Sequence, residues 1–189
     1  RVHLELRKKI TAEMVKSFAA DVIVVATGSV PLAPQIEGID HENVVYATDV
    51  LAGKCSVGQR VAVVGAGLVG LETADFLSEQ GKNVIIFEML GTTPPDMGNA
   101  NRSYFEDTFS EKGIEIYGGA KITRINEDGI VYFQKGWTRK LMGIDSVVLA
   151  TGAVAENSLE KILRNEKKFS VFTVGDCVKA RNALEAIYE

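Results

Sequence analysis

The 189-residue chain is poor in the residues that build metal centres and disulfide frameworks: two cysteines, Cys55 and Cys177, and two histidines, His3 and His41. Four such residues so dispersed make no metal-ligand spacing, and without a C-x-x-C pair there is no dithiol relay within the chain. Two reduced thiols point to a cytoplasmic protein. A basic excess is missing too. Lys and Arg number 21 against 25 Asp and Glu, a net charge of −4, which excludes the basic footprint that nucleic-acid binding requires. Apolar runs such as residues 22–26 and 147–150 are too short to cross a bilayer, and no signal peptide or membrane partner is expected. No Ser/His/Asp or Cys/His arrangement stands out, so no catalytic acid, base or nucleophile and no metal site is assigned.

What remains is an ordinary globular composition, 46% hydrophobic and 24% charged. Residues 2–6 alternate as a short strand, and residues 11–18 read as a short helix or loop. Residues 22–26 form a continuous apolar run ending at Thr27-Gly28, as in a central strand buried on both faces. An extended connection over 29–40, a strand at 44–46 and a helical turn at 49–53 follow. Strand 61–64, a glycine loop, helix 68–80 closed by Gly81 and strand 83–87 come next. After a Pro-containing loop at 92–98, helix 100–112 ends at Gly113 and strand 114–117 follows. Residues 121–126 and 130–134 pair as a hairpin across Asp128-Gly129. Strands at 145–150 and 170–174 and a helix over 180–188 complete the chain. Alternating strands and helices predict an α/β fold, with a Rossmann-like three-layer domain and an antiparallel hairpin insertion. The chain starts at Arg1 inside one pattern and stops at Glu189 inside another, as an excised piece of a longer protein would.

The sharpest motif is VAVVGAGLVG over 61–70. Gly65 permits a tight turn out of the strand, Gly67 lets backbone approach a pyrophosphate, and Gly70 lets the helix lie close on the sheet. Ala66, Leu68 and Val69 fill the loop, and the helix N-terminus offers N–H groups and positive potential to phosphate. Glu88 ends the next strand, where a carboxylate accepts the ribose hydroxyls of an adenosine. The stretch behind it, 89–93, holds no Arg or Lys, so a 2′-phosphate there would meet a carboxylate with no compensating cation. NADH is therefore expected over NADPH.

A second signal is duplicated. Residues 21–29 read DVIVVATGS and residues 145–153 read DSVVLATGA, each an acid, an apolar strand and Ala-Thr-Gly: Ala26-Thr27-Gly28 and Ala150-Thr151-Gly152. A third is the strand ending in Gly175-Asp176, where the aspartate can accept a hydrogen bond from a polyol such as ribitol or simply cap a helix.

Together these motifs resemble the two-dinucleotide flavoprotein disulfide-reductase superfamily, in which an NAD(P)H domain interrupts an FAD domain. The stretches VATGSVPLAPQIEGIDHENVVYATDVL and FTVGDCVKARNALEAI are more narrowly similar to the C-terminal reductase part of NADH:flavin oxidoreductases fused to an old-yellow-enzyme barrel, relatives of 2,4-dienoyl-CoA reductase, enoate reductase and trimethylamine dehydrogenase. The resemblance covers essentially the whole chain. It implies an NAD(P)H domain at 55–152, and at 1–54 and 153–189 the remainder of an FAD domain whose first βαβ unit, with its own glycine loop, does not precede residue 22. Poor retention of FAD by the chain alone follows. The two Ala-Thr-Gly segments mark the domain crossings, and Asp176 is the ribitol-binding position. Glu72 stands where many members have an acid facing the nicotinamide; a helix-dipole carboxylate is the alternative. NADH and FAD are the implied cofactors of the full-length protein. FMN and an iron–sulfur cluster are implied in an upstream barrel of the same chain, which acts on an enoate, enoyl-type or other small substrate. The alternatives are a non-catalytic nucleotide-binding module, or part of a stand-alone NADH oxidase or disulfide reductase. Cys177 reads as a small packed residue and Trp137 as a hairpin-edge residue.

Overall fold

The computed structural model describes residues 2–91, 99–166 and 170–181. In chain order the elements are α1 (Ala12–Ser17), β1 (Val22–Val25), β2 (Ser29–Pro31), β3 (Val44–Tyr46), α2 (Ala47–Leu51), β4 (Arg60–Val64), α3 (Leu68–Glu79) and β5 (Asn83–Glu88). They continue as α4 (Asn99–Lys112), β6 (Glu115–Gly118), β7 (Ala120–Asn126), β8 (Gly129–Gln134), β9 (Trp137–Met142), β10 (Ser146–Leu149), β11 (Ala153–Ala155), α5 (Ser158–Asn165) and β12 (Ser170–Thr173). The chain divides into two compact units, one of residues 1–30 and 153–189, the other of residues 31–152.

The inserted unit is the three-layer α/β arrangement that the strand–helix alternation predicts. Its central sheet is parallel, in the order β3-β10-β4-β5-β6. One face packs against α2, α3 and α4: Val61, Val63, Val84, Ile86 and Val148 meet Val50, Leu71, Ala74, Leu77, Phe105 and Phe109. The other face is covered by an antiparallel sheet, β7-β8-β9, whose Ile122, Ile125, Ile130 and Tyr132 meet Ala62, Val64, Ile85, Phe87, Val147 and Leu149. Each central strand thus buries both faces, which explains its unbroken run of Val and Ile. Gly81 and Gly113, in left-handed conformations, end α3 and α4.

Four readings change. The expected first boundary at residue 54 moves to residue 30, because β3 pairs with β10 as the edge of the central sheet. The expected hairpin carries a third strand, β9, reached through Lys135 and Gly136, both at positive φ. Residues 2–6 form no strand: Val2, Leu4 and Leu6 are exposed and unpaired with any described strand. In the other unit β1 lies parallel to β12 but buries one face only, where the sequence predicts a strand buried on both. Ile23 and Val25 pack with Ala12, Leu163, Val171 and Cys177, whereas Val22, Val24 and Phe172 are exposed. The expected helix over 180–188 and loop over 92–98 lie outside the described residues, apart from residues 180 and 181.

Ile86 is completely buried beneath α3 and α4. Ile86→Ala should cost about 2–5 kcal/mol of the inserted unit's stability, as lost burial plus a residual cavity; urea unfolding followed by circular dichroism measures it.

Candidate functional site

Three glycines shape the turn between β4 and α3, and the backbone assigns each a different duty. Gly65 has φ +106°, and a Cβ there would stand 2.5 Å from the Ala150 carbonyl oxygen. A Cβ on Gly70 would collide with the Gly65 carbonyl oxygen, so α3 can lie against the turn only without it. Gly67, the N-cap of α3 at φ −62°, is different: a Cβ there would have no protein atom within 4 Å. The protein itself does not require glycine at 67, and the open space in front of it is where a ligand's phosphate can approach. The first N–H groups of α3, at Leu68, Val69 and Gly70, have no partner within the helix and carry its positive pole.

Glu88 ends β5 opposite Gly118 of β6. Its Oε2 accepts the N–H of Ala66 and its Oε1 that of Leu90, both at 2.8 Å. The carboxylate is therefore fixed across the gap between the glycine turn and the strand end, and each oxygen keeps a lone pair for a further donor. Behind it Phe87 stacks on Tyr117 at 5.1 Å and meets the edge of Tyr132. Burial pushes the Tyr117 phenol above its ordinary range.

These groups border a cavity of about 640 Å³ at the C-terminal ends of the central strands, the place where ligands bind in open parallel sheets. One side is formed by Gly65, Gly67, Leu68 and Val69, and another by Glu88, Met89 and Leu90. Thr151 and Gly152 of the second Ala-Thr-Gly segment and residues 34–36 form the far side. Thr151 donates its hydroxyl to the Leu32 carbonyl at 2.7 Å, and Leu32 N–H donates to the Gly152 carbonyl at 3.0 Å, so the threonine braces the rim. Lys121, near the start of β7, completes the lining with Ala120 and Ile122. Lys121 is a lining residue that sequence reasoning missed, because it sits on β7, two strands after the one that Glu88 ends.

Glu72 does not line this cavity. It is the exposed fifth residue of α3 and borders a smaller cleft with Asp75, Glu79 and Tyr104, where Asp75 binds Lys112 at 2.5 Å. Donation to Asp75 raises the Lys112 pKa.

In the other unit the first Ala-Thr-Gly segment and Gly175-Asp176 come together at the ends of β1 and β12. Thr27 donates its hydroxyl to the Glu156 carbonyl, Glu156 N–H donates to Gly28 at 2.9 Å, and Ala26 is exposed. Ser29 Oγ donates to Asp176 Oδ2 at 3.1 Å, and Arg181 N–H donates to Oδ1 at 3.2 Å. Asp176 thus caps a local turn, with lone pairs left on both oxygens. Cys177 is buried, its Sγ 3.0 Å from the Val174 carbonyl. Trp137 is exposed on β9, opposite Gln134. Among the described residues no cluster of His, Cys, Asp and Glu could hold a metal ion, and no helix is long and apolar enough to cross a membrane.

The family model described as Pyridine nucleotide-disulphide oxidoreductase matches residues 2–189. An NADH oxidase of Thermoanaerobacter brockii is 36% identical over 99% of this chain and 30% of its own length. A cinnamate reductase of Clostridium sporogenes is 34% identical over 99% of this chain and 28% of its own length. A solved 2-naphthoyl-CoA reductase complex superposes with a TM-score of 0.89 at 31% identity, covering 99% of this chain and 28% of that one. The chain thus spans less than a third of these relatives.

The unequal demands on the glycines can be separated. Gly67→Ala should leave the unfolding temperature within a degree or two, and any ligand whose phosphate approaches this face should bind about tenfold more weakly, the equivalent of 1.4 kcal/mol. Gly70→Ala should cost about 1–3 kcal/mol of stability through overpacking. Thermal melts with and without NADH distinguish the two.

Proposed function

The chain belongs to the pyridine nucleotide-disulphide oxidoreductase family, and from that membership we propose that it is the nicotinamide-binding portion of a flavoprotein that takes hydride from NADH. The observation that carries this reading is the cavity in which the open face of Gly67, the N-terminus of α3 and the fixed carboxylate of Glu88 converge. They answer to two polar parts of a dinucleotide, its pyrophosphate and its adenosine ribose. The N–H groups of α3 receive the pyrophosphate, drawn by the helix pole. Glu88 accepts the 2′- and 3′-hydroxyls of the adenosine ribose through charge-assisted bonds. Leu68, Val69 and the backbone at Ala150, Thr151 and Gly152 wall the opposite end, where the nicotinamide ring lies. Hydride transfer from the reduced nicotinamide to FAD is chemistry that the two cofactors supply when bound. The protein's task is to hold, orient and keep water away, so no acid, base or nucleophile is assigned.

FAD would meet a different set of groups. The described residues of the first unit hold no second glycine turn of the Gly65–Gly70 kind. Asp176 would take one ribitol hydroxyl beside the backbone of Gly28 and Gly175, and Glu72 would reach the nicotinamide only from outside the cavity described above. Domain roles follow: residues 31–152 bind nicotinamide dinucleotide, and the remainder contributes to a flavin site. We further propose onward transfer through an iron–sulfur cluster to FMN in an upstream barrel of the same chain, and a cytoplasmic setting. Likeness to a cinnamate reductase and a 2-naphthoyl-CoA reductase supports an enoate or enoyl-type acceptor. The NADH oxidase relative supports the second reading, in which the flavin reduces oxygen directly.

In full-length protein, NADH added anaerobically should bleach the FAD absorbance; unchanged absorbance would identify a non-catalytic nucleotide-binding module instead. Two charges about 4 Å apart repel by roughly 4 kcal/mol at an effective dielectric of 20, so even with part of that relieved by solvent Glu88 should favour NADH over NADPH by one to two orders of magnitude. Glu88→Ala should weaken NADH and narrow the ratio. Calorimetric titration of both cofactors against both proteins checks this, and an unchanged ratio would remove Glu88 from the discrimination.

A further inference from the structure

Only two charged side chains, Glu88 and Lys121, are among the described residues lining the large cavity. They are used very differently. Glu88 has both oxygens engaged by backbone N–H groups. The Lys121 side chain makes no hydrogen bond or ion pair with any described residue; it is exposed, and no carboxylate among the described residues neutralises it. Nor does it salt-bridge Glu88, although both border the same space.

Topology fixes which end of the cavity Lys121 serves. Glu88 pairs with Gly118 at the end of β6, and Gly119, at φ +66°, turns the chain so that β7 begins at once with Ala120. Gln134 donates to the Gly118 carbonyl at 3.0 Å and so holds β8, the partner of β7, at this corner. Lys121 therefore stands on the β5–β6 side of the crevice with Glu88. The N-terminus of α3 follows β4, and Thr151 and Gly152 follow β10, on the far side. A dinucleotide laid from Glu88 towards Thr151 presents its adenosine to Lys121, with its pyrophosphate further on, over the glycine turn.

We propose that Lys121 is a specificity-determining residue of the nicotinamide dinucleotide site, the cation that meets the adenosine end and offsets Glu88 when that end carries a 2′-phosphate. Glu88 and Lys121 then act in opposition. The carboxylate accepts the hydroxyls of NADH and repels a 2′-phosphate, while the ammonium attracts that phosphate and has little to gain from a neutral ribose. Discrimination becomes the difference between two residues on separate strands. Because Lys121 is exposed, its share is modest, about three- to fivefold, the scale of a solvent-accessible ion pair.

The inference rests on the reading of the cavity as a nicotinamide dinucleotide site, and a four-protein titration keeps the two apart. NADH and NADPH are titrated by calorimetry against wild type, Lys121→Met, Glu88→Gln and the double variant at low ionic strength, with circular dichroism confirming the fold of each. Lys121→Met should weaken NADPH about three- to fivefold and NADH by less than twofold. Glu88→Gln should strengthen NADPH relative to NADH, and adding Lys121→Met should remove most of that gain. Raising the salt to 0.5 M should shrink the Lys121 effect on NADPH. Equal weakening of both cofactors in Lys121→Met would put the lysine on the shared pyrophosphate, and no change in either would put it outside the site; both overturn the proposal. Failure of wild-type protein to bind either cofactor would overturn the dinucleotide reading itself.

Discussion

The site depends on one close approach: the first turn of α3 lies directly on the chain leaving β4. Gly70 and Gly65 meet there, with the Gly65 carbonyl in the space a Cβ of residue 70 would fill and the Ala150 carbonyl in the space a Cβ of residue 65 would fill. That contact aims the helix N-terminus at the crevice above the strand ends. It also sets the Ala66 N–H where Glu88 can accept it at 2.8 Å. A bulkier residue at either glycine would tilt the helix, and its N-terminus and the Glu88 carboxylate would lose their spacing together.

The sheet beneath is built to resist such tilting. It is packed on both faces, by helices on one side and by the β7-β8-β9 sheet on the other. Close-packed interiors are stiff and pass strain on rather than absorb it. The antiparallel layer does more than cover apolar surface. Through Gly119 and the Gln134 bond to Gly118 it carries Lys121 to the crevice, so a layer remote in sequence from the glycine turn takes part in the same cavity.

Much of this was legible in the residues. Strands buried on both faces read as unbroken Val and Ile, glycines mark the ends of α3 and α4, and the loop–helix–strand–acid series locates the glycine turn and the carboxylate facing it from local rules alone. What escaped detection was set by distant partners. The strand at 44–46 was legible, but its place at the edge of the central sheet comes from β10 lying beside it. The polar β9 is held by its backbone register to β8 rather than by apolar alternation. Residues 2–6 alternate correctly for a strand yet find no pairing edge, and β1, as apolar as any central strand, buries only one face. Lys121 was invisible for a related reason. A search for a cation near Glu88 in sequence has no means of finding one delivered by a turn after β6.

The way the rim of the inserted unit is tied has a consequence for the order of folding. The two ends of its chain are held together, Leu32 to Gly152 through the backbone and Thr151 to Leu32 through its hydroxyl. Val22 and Ser170, which pair across β1 and β12, stand 148 positions apart, but the 122 residues of the inserted unit make up most of that separation. Once that unit has folded and joined its own ends, the open loop shrinks to 26 residues. Loop-closure entropy scales as 3/2 RT times the logarithm of length, so the saving is about 1.5 kcal/mol, roughly a tenfold gain in the chance that β1 meets β12. The two strands are therefore better brought together after the insertion has formed than before, and the discontinuous unit draws part of its own stability from the continuous one.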